Sequence, residues 1–146
     1  MSTSDAVRAP AGMLVTKVPV YLGSIKIWES LYALPFCYIG MTLAAAGWPG
    51  WSAFIWITVA MIGVRTLGMS ANRLIHHKED AANPRTADRH LPKGLLKPWE
   101  VAAMMVVGTG MFFYAASQLN DLALALAPVA AAYVVLYSFT KYYTWA

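Results

Sequence analysis

Asn72, His76 and Asp80 stand four residues apart on the tail of an apolar helix, so their side chains share one face and can converge on a small ligand. Arg85 and Arg89 follow just past Asn83-Pro84, a pair that ends a helix because the residue before proline is pushed out of the α region. Groups suited to a metal thus lie beside groups suited to phosphate oxygens. This run, with His77, Lys78, Glu79, His90 and the turn Leu91-Pro92-Lys93-Gly94, is the densest polar stretch in the chain.

The elements that must position it are membrane helices. The chain of 146 residues is 59% hydrophobic and only 12% charged, with a mean hydropathy of +0.51. A soluble domain of this size has no room to bury so much apolar surface. Four stretches, 28–46, 53–75, 99–118 and 122–140, each approach the roughly 20 residues that span a bilayer. The expected fold class is therefore all-α, a polytopic membrane helix bundle with about four spans.

Basic residues orient it. Arg8, Lys17 and Lys26 precede the first span, and Lys78, Arg85, Arg89, Lys93 and Lys97 lie between the second and third. Lys141 follows the fourth, whereas the connections 47–52 and 119–121 carry no Lys or Arg. The positive-inside rule then places both termini and the loop 76–98 in the cytoplasm, with the chain in the inner (plasma) membrane. Trp28, Trp99, Tyr142, Tyr143 and Trp145 fall at the cytoplasmic interface, and Trp48 and Trp51 at the opposite one. The net charge of +4 therefore speaks to topology and not to nucleic acid. Residues 1–25 read as a cytoplasmic amino-terminal tail without a signal peptide's apolar core, and 26–146 as the membrane domain. Cys37, the single cysteine, falls within the first span and reads as packing.

Several positions qualify this outline. Pro35 removes a backbone hydrogen bond from the first span and predicts a kink. Arg65, two turns before Asn72 on nearly the same face, must meet a polar interior or a partner, or snorkel to the interface. Glu100 opens the third span, where the helix dipole favours an acid. Glu29 lies near the cytoplasmic end beside Lys26, and an ion pair between them is expected.

Four stretches stand out in order along the chain: Ser30-Leu31-Tyr32-Ala33-Leu34-Pro35-Phe36; Arg65-Thr66 with Met69 and Asn72-Arg73; Asn83-Pro84-Arg85-Thr86 with Arg89, Leu91-Pro92 and Gly94; and Leu136-Tyr137-Ser138-Phe139-Thr140-Lys141. On these the chain resembles the UbiA superfamily of membrane prenyltransferases, and within it the 4-hydroxybenzoate polyprenyltransferases and the menaquinone-pathway members. That resemblance covers almost the whole chain. It implies transfer of a prenyl group from an isoprenyl diphosphate to an aromatic acceptor in quinone biosynthesis, with Mg²⁺ as cofactor. Carried over residue by residue, it implies Asn72, Asp80 and Arg73 as catalytic, Asn72, Asp80 and His76 as metal ligands, and Lys26, Arg65, Arg73, Arg85 and Arg89 as diphosphate contacts.

Two departures leave alternatives open. His76 stands where the family carries its first Asp, and imidazole is a poorer ligand for Mg²⁺ than a carboxylate. It either donates a hydrogen bond to diphosphate or marks a damaged site. The family's second Asp-rich motif has no counterpart here, so the expectation is the amino-terminal half of an enzyme, completed by a carboxy-terminal half or by a homo-oligomer. The alternatives are a catalytically degenerate member of the same family and, in another class, a small proton-coupled transporter using Glu29.

Overall fold

A computed structural model describes residues 11–86 and 88–140. Arg8, Lys141, Tyr142, Tyr143 and Trp145 lie outside the described residues. The elements are α1 Ala11–Ser24, α2 Ile27–Ala44, α3 Trp51–Ile75, α4 His77–Ala82, α5 Pro98–Leu119 and α6 Asp121–Thr140. There is no strand among the described residues.

The long helices coincide with the expected spans to within one or two residues at most ends. By length and composition α3, α5 and α6 can each cross a membrane; their 25, 22 and 20 residues correspond to about 37, 33 and 30 Å. The first expected span is α2, whose 18 residues reach about 27 Å. Trp28, Glu29, Ser30, Tyr32 and Pro35 dilute its hydropathy, and it falls outside that set of three. The helix is continuous through Pro35. Large apolar side chains that face outward, among them Phe36, Leu43, Val106, Leu122, Val129 and Leu136, suit lipid and not water. The protein is an integral membrane helix bundle.

Its spine is the contact between α3 and α5. A Cβ at Gly63 would lie 2.7 Å from the Phe112 backbone nitrogen and 2.9 Å from the Gly108 carbonyl. One at Gly108 would lie 2.8 Å from Thr66 Cβ and 2.9 Å from both the Gly63 carbonyl and the Leu67 nitrogen. The two backbones therefore touch, which membrane helices achieve with small residues because lipid supplies no hydrophobic drive to association. Ala71, Ala115 and Ala116 bury their methyls in the same bundle. Helix α6 lies across Gly68 of α3, where a Cβ would meet Val134 at 2.7 Å.

By contrast, α2 touches α3 mainly through side chains: Tyr38 stacks on Phe54 with ring centroids 4.6 Å apart, and its hydroxyl meets Thr58 Oγ1 at 2.8 Å.

Helix α1 occupies part of the stretch read as an amino-terminal tail. It packs over the end of the bundle, where Val20, Tyr21 and Leu74 surround buried Leu91, Leu96 and Val101. Lys17 donates to Glu100 at 2.8 Å and Tyr21 donates to the same carboxylate oxygen at 3.0 Å. That bond raises the Lys17 ammonium above its ordinary value, while burial and the Glu100 contact raise the Tyr21 phenol. The other Glu100 oxygen accepts from the Lys97 backbone N–H at 2.7 Å. Glu100 thus caps α5 and anchors α1 at once, beyond the dipole role expected of it.

Candidate functional site

Helix α3 ends at Ile75, and α4 resumes at His77 after a bend at His76. Two hydrogen bonds carry the four-residue spacing through the bend: His76 N–H to the Asn72 carbonyl at 3.1 Å and Asp80 N–H to the His76 carbonyl at 2.8 Å. Past Asn83 the loop folds back on itself. Thr86 N–H reaches the Asn83 carbonyl at 2.9 Å, and Thr86 Oγ1 reaches the Asp80 carbonyl at 3.0 Å. This return brings Arg89 Nη1 to 2.6 Å from Asp80 Oδ2. Gly94, with φ of 73°, makes the tight turn that sends the chain back toward α5.

Between the ends of α2, α3 and α6 and the loop lies a cavity of about 420 Å³, whose polar lining includes Lys26, Glu29, Arg65, Asn72, Arg73 and Arg89. Lys26 sits at φ 51° between α1 and α2, a left-handed conformation that costs a non-glycine residue roughly 1–2 kcal/mol. There it donates to Glu29 Oε1. Arg65 places Nη2 3.8 Å from Glu29 Oε2 and Nε 3.4 Å from Ser30 Oγ. Arg65 thus has the polar partners a membrane arginine requires, and Glu29 is held by cations. An acid so paired lacks the isolation that a proton-coupled transport site needs.

Arg73 is the deepest of the cations, at 6% exposure. Its Nε donates to the Ser24 carbonyl at the end of α1, while Nη1 has no hydrogen-bond partner. A buried guanidinium nitrogen left unpaired is costly, and the charge it shares adds to that of the cavity that Arg73 lines. Four cationic side chains against the carboxylates of Glu29 and Asp80 leave the site about two charges positive.

The sequence-derived candidates separate here. Lys26, Arg65, Asn72, Arg73 and Arg89 line one cavity. Asp80 stands behind them, buried and bonded to Arg89. Arg85 is brought elsewhere: it is exposed in the loop, its backbone N–H bonded to Asn83 Oδ1 at 3.0 Å. His76 turns its ring toward α6, where Nε2 meets the Ser138 carbonyl at 2.7 Å; since a carbonyl only accepts, Nε2 carries the proton. Its Nδ1 lies 3.3 Å from Glu79. His90 packs against α1 close to Gly23. Burial, then the charges of Arg73 and Lys93, pull its imidazole below the usual histidine value.

Tested against these positions, Mg²⁺ fits poorly. It takes oxygen ligands in near-octahedral geometry, commonly one or two carboxylates together with substrate phosphates and water. Among the described residues no group of three or more His, Cys, Asp and Glu is placed to hold a metal. The Asp80 carboxylate faces a guanidinium, and the His76 Nε2 proton leaves that nitrogen no lone pair for an ion.

Sequence reasoning missed the docking of α1, the glycine seam and the walls Tyr133, Val134, Tyr137 and Ser138 that α6 contributes. The advance signal for Tyr137 and Ser138 was the stretch Leu136-Tyr137-Ser138-Phe139-Thr140-Lys141 that the resemblance includes, which gave them no place in a cavity.

Fold and cavity together define a polytopic helical membrane protein with a polybasic pocket at one end of the bundle. Residues 33–146 match the UbiA prenyltransferase family, and the chain belongs to that family. It is similar to the 4-hydroxybenzoate octaprenyltransferase of Aliivibrio fischeri, with 28% identity over 139 residues, 94% of this chain and 46% of that protein. The enzyme of the same name from Aeromonas salmonicida is 33% identical over 138 residues, covering 93% and 45%. Among solved structures, the apo form of a UbiA homolog from Aeropyrum pernix K1 superposes with a TM-score of 0.74 at 32% identity, over 79% of this chain and 42% of that one. The chain therefore spans about half the length of the curated relatives it matches.

Proposed function

We propose that this chain forms the prenyl-diphosphate-binding part of a membrane transferase that moves a prenyl group onto an aromatic ring, with 4-hydroxybenzoate or a related quinone precursor as acceptor. The observation that carries this reading is the convergence of Lys26, Arg65, Arg73 and Arg89 on one cavity, with Arg73 Nη1 unpaired. Membership of the UbiA family supports the prenyl donor, and the names of the relatives support the acceptor class.

In the proposed reaction the bond between the allylic carbon and diphosphate oxygen breaks, and the electron pair leaves with diphosphate. Guanidinium and ammonium groups stabilise that developing charge more than the ground state, which lowers the barrier. The allylic cation lies toward Tyr133 and Tyr137, whose π faces favour a cation. An aromatic carbon of the acceptor then attacks, and the ring loses a proton to restore aromaticity. Asn72 and Arg73 touch the donor in this scheme, and Asp80 positions Arg89. Arg85, exposed on the loop, serves as an outer contact for incoming diphosphate. In this reading residues 26–146 are a membrane domain of the inner membrane, with tail 1–25 and loop 76–98 cytoplasmic.

The test is product formation. Farnesyl diphosphate and 4-hydroxybenzoate, supplied to membranes containing the protein as the cell makes it, should yield farnesylated acid by mass spectrometry. Arg73→Ala should lower the rate about a hundredfold, as loss of a transition-state hydrogen-bond donor does. Full activity in that variant would overturn the assignment. A second reading, binding without turnover, draws on His76 being engaged by Ser138 and Asp80 by Arg89. Retained diphosphate binding with no product would select it.

A further inference from the structure

Resting on the prenyl-diphosphate reading above, we infer that this chain grips a diphosphate through guanidinium and ammonium groups alone, without a divalent cation as a bridge. The first ground is charge. A metal bridge is needed where carboxylates face phosphate, because it reverses the sign of the protein's side of the contact. Here the protein's side is already positive: Lys26, Arg65, Arg73 and Arg89 outnumber Glu29 and Asp80. A divalent cation entering the cavity would be repelled, whereas an anion carrying two or three charges would be attracted.

The second ground is the disposition of the donors. Arg73 is fixed by its bond to the Ser24 carbonyl and presents a buried Nη1 with no partner. The guanidinium that lines the cavity is thus held in place before any ligand arrives, and its planar form matches phosphate geometry. Oxygen donors for a metal are scattered by comparison. Asn72 lines the cavity, Asp80 is drawn behind it by Arg89, and the Glu29 carboxylate is held by Lys26 with Arg65 nearby. His76, between Asn72 and Asp80 in the four-residue series, sends Nε2 away to Ser138.

The experiment is calorimetric titration of the full protein in lipid nanodiscs with farnesyl diphosphate, once in EDTA and once in excess Mg²⁺. The expected result is binding in both buffers, with dissociation constants agreeing within about threefold. In EDTA, Arg73→Gln should weaken binding by roughly tenfold or more, as loss of a charged hydrogen bond does. Because Arg73 also ties α1 to the bundle, half-exposed Arg65→Gln serves as the second variant and should weaken binding severalfold with its helical circular dichroism unchanged. His76→Asp should add an oxygen donor and make Mg²⁺ tighten binding by more than in the parent. Binding only with Mg²⁺ would overturn the inference and leave the prenyl-diphosphate reading standing. Binding in EDTA that neither arginine variant weakens would also overturn it. Absence of binding in both buffers would sink the prenyl-diphosphate reading itself, and the inference with it.

Discussion

Helix α3 has two faces that solve opposite problems. Toward α5 it presents Gly63, Thr66, Leu67, Ser70 and Ala71, all buried, and the glycines let the two backbones meet. Toward α2 and α6 it presents Val64, Arg65, Gly68, Met69, Asn72 and Arg73, and a cavity remains. Both sets repeat at three- and four-residue intervals, as faces of one helix must. One face is sealed by the absence of side chains; the other is held open by long charged ones that need a polar space. Rigidity on the first side therefore supports cation placement on the second, since a helix clamped along α5 cannot rotate to relieve crowding among arginines.

The comparison breaks most severely at the seam. Gly108→Val would drive new atoms into Thr66 and into the backbone of Gly63 and Leu67, and should cost on the order of 3 kcal/mol in a detergent or bicelle unfolding experiment. Gly110→Ala, where nothing lies within 4 Å, should change that stability by less than about 0.5 kcal/mol. Equal effects from the two would show that α3 and α5 do not meet as described.

On the open face Asp80→Ala should be the next largest. It releases Arg89 from its 2.6 Å partner and should lower prenyl transfer about tenfold or more, because displacing a positioned charge misaligns the leaving group. Unchanged turnover would remove Asp80 from the site. Glu29→Gln should act in the opposite direction. With the internal counter-anion neutralised, Lys26 and Arg65 are free for a ligand, and anion affinity should rise by roughly threefold, a modest factor because the pair is half exposed.

The smallest effect is a pH dependence at the rim. His90 is held below the ordinary histidine value of 6.5, so the folded loop resists a proton that the unfolded chain accepts. Its contribution is complete above 6.5 and declines as the pH falls below that, until His90 itself titrates. Amide protection factors across 90–96, corrected for the intrinsic pH dependence of exchange, should fall over that window, and His90→Gln should flatten the response.

Much of the frame was legible beforehand. The ends of α3, α5 and α6 were visible because apolar runs of membrane length are bounded by Trp51, Pro98, Asn120 and Asp121, and each boundary is local chemistry. Five of the cavity-lining residues were legible for a related reason: Asn72, Arg73 and Arg65 share a helix face, while Lys26 and Arg89 belong to basic stretches that charge bias assigns to one end of the bundle. The Lys26–Glu29 pair followed from spacing alone.

What resisted reading was long-range. That Lys17 and Tyr21 would find Glu100, some eighty residues away, has no local signature, so α1 passed as tail. Gly63 and Gly108 are each unremarkable on their own helix and acquire meaning only when apposed. His76 shows the limit most sharply. Its four-residue spacing placed the backbone on the ligand face, yet the bend at the end of α3 and the Ser138 carbonyl of α6 decide where the ring points.

Composition, hydropathy and charge bias by themselves determined that this chain builds a bundle of membrane helices with a polybasic end, because bilayer thickness and backbone hydrogen bonding admit few other solutions. Only the tertiary structure decided which cations share a cavity, which carboxylates they neutralise and which guanidinium nitrogen is left waiting. Those outcomes depend on contacts between elements distant in sequence, where an ångström of helix approach separates a filled hydrogen bond from an unfilled one.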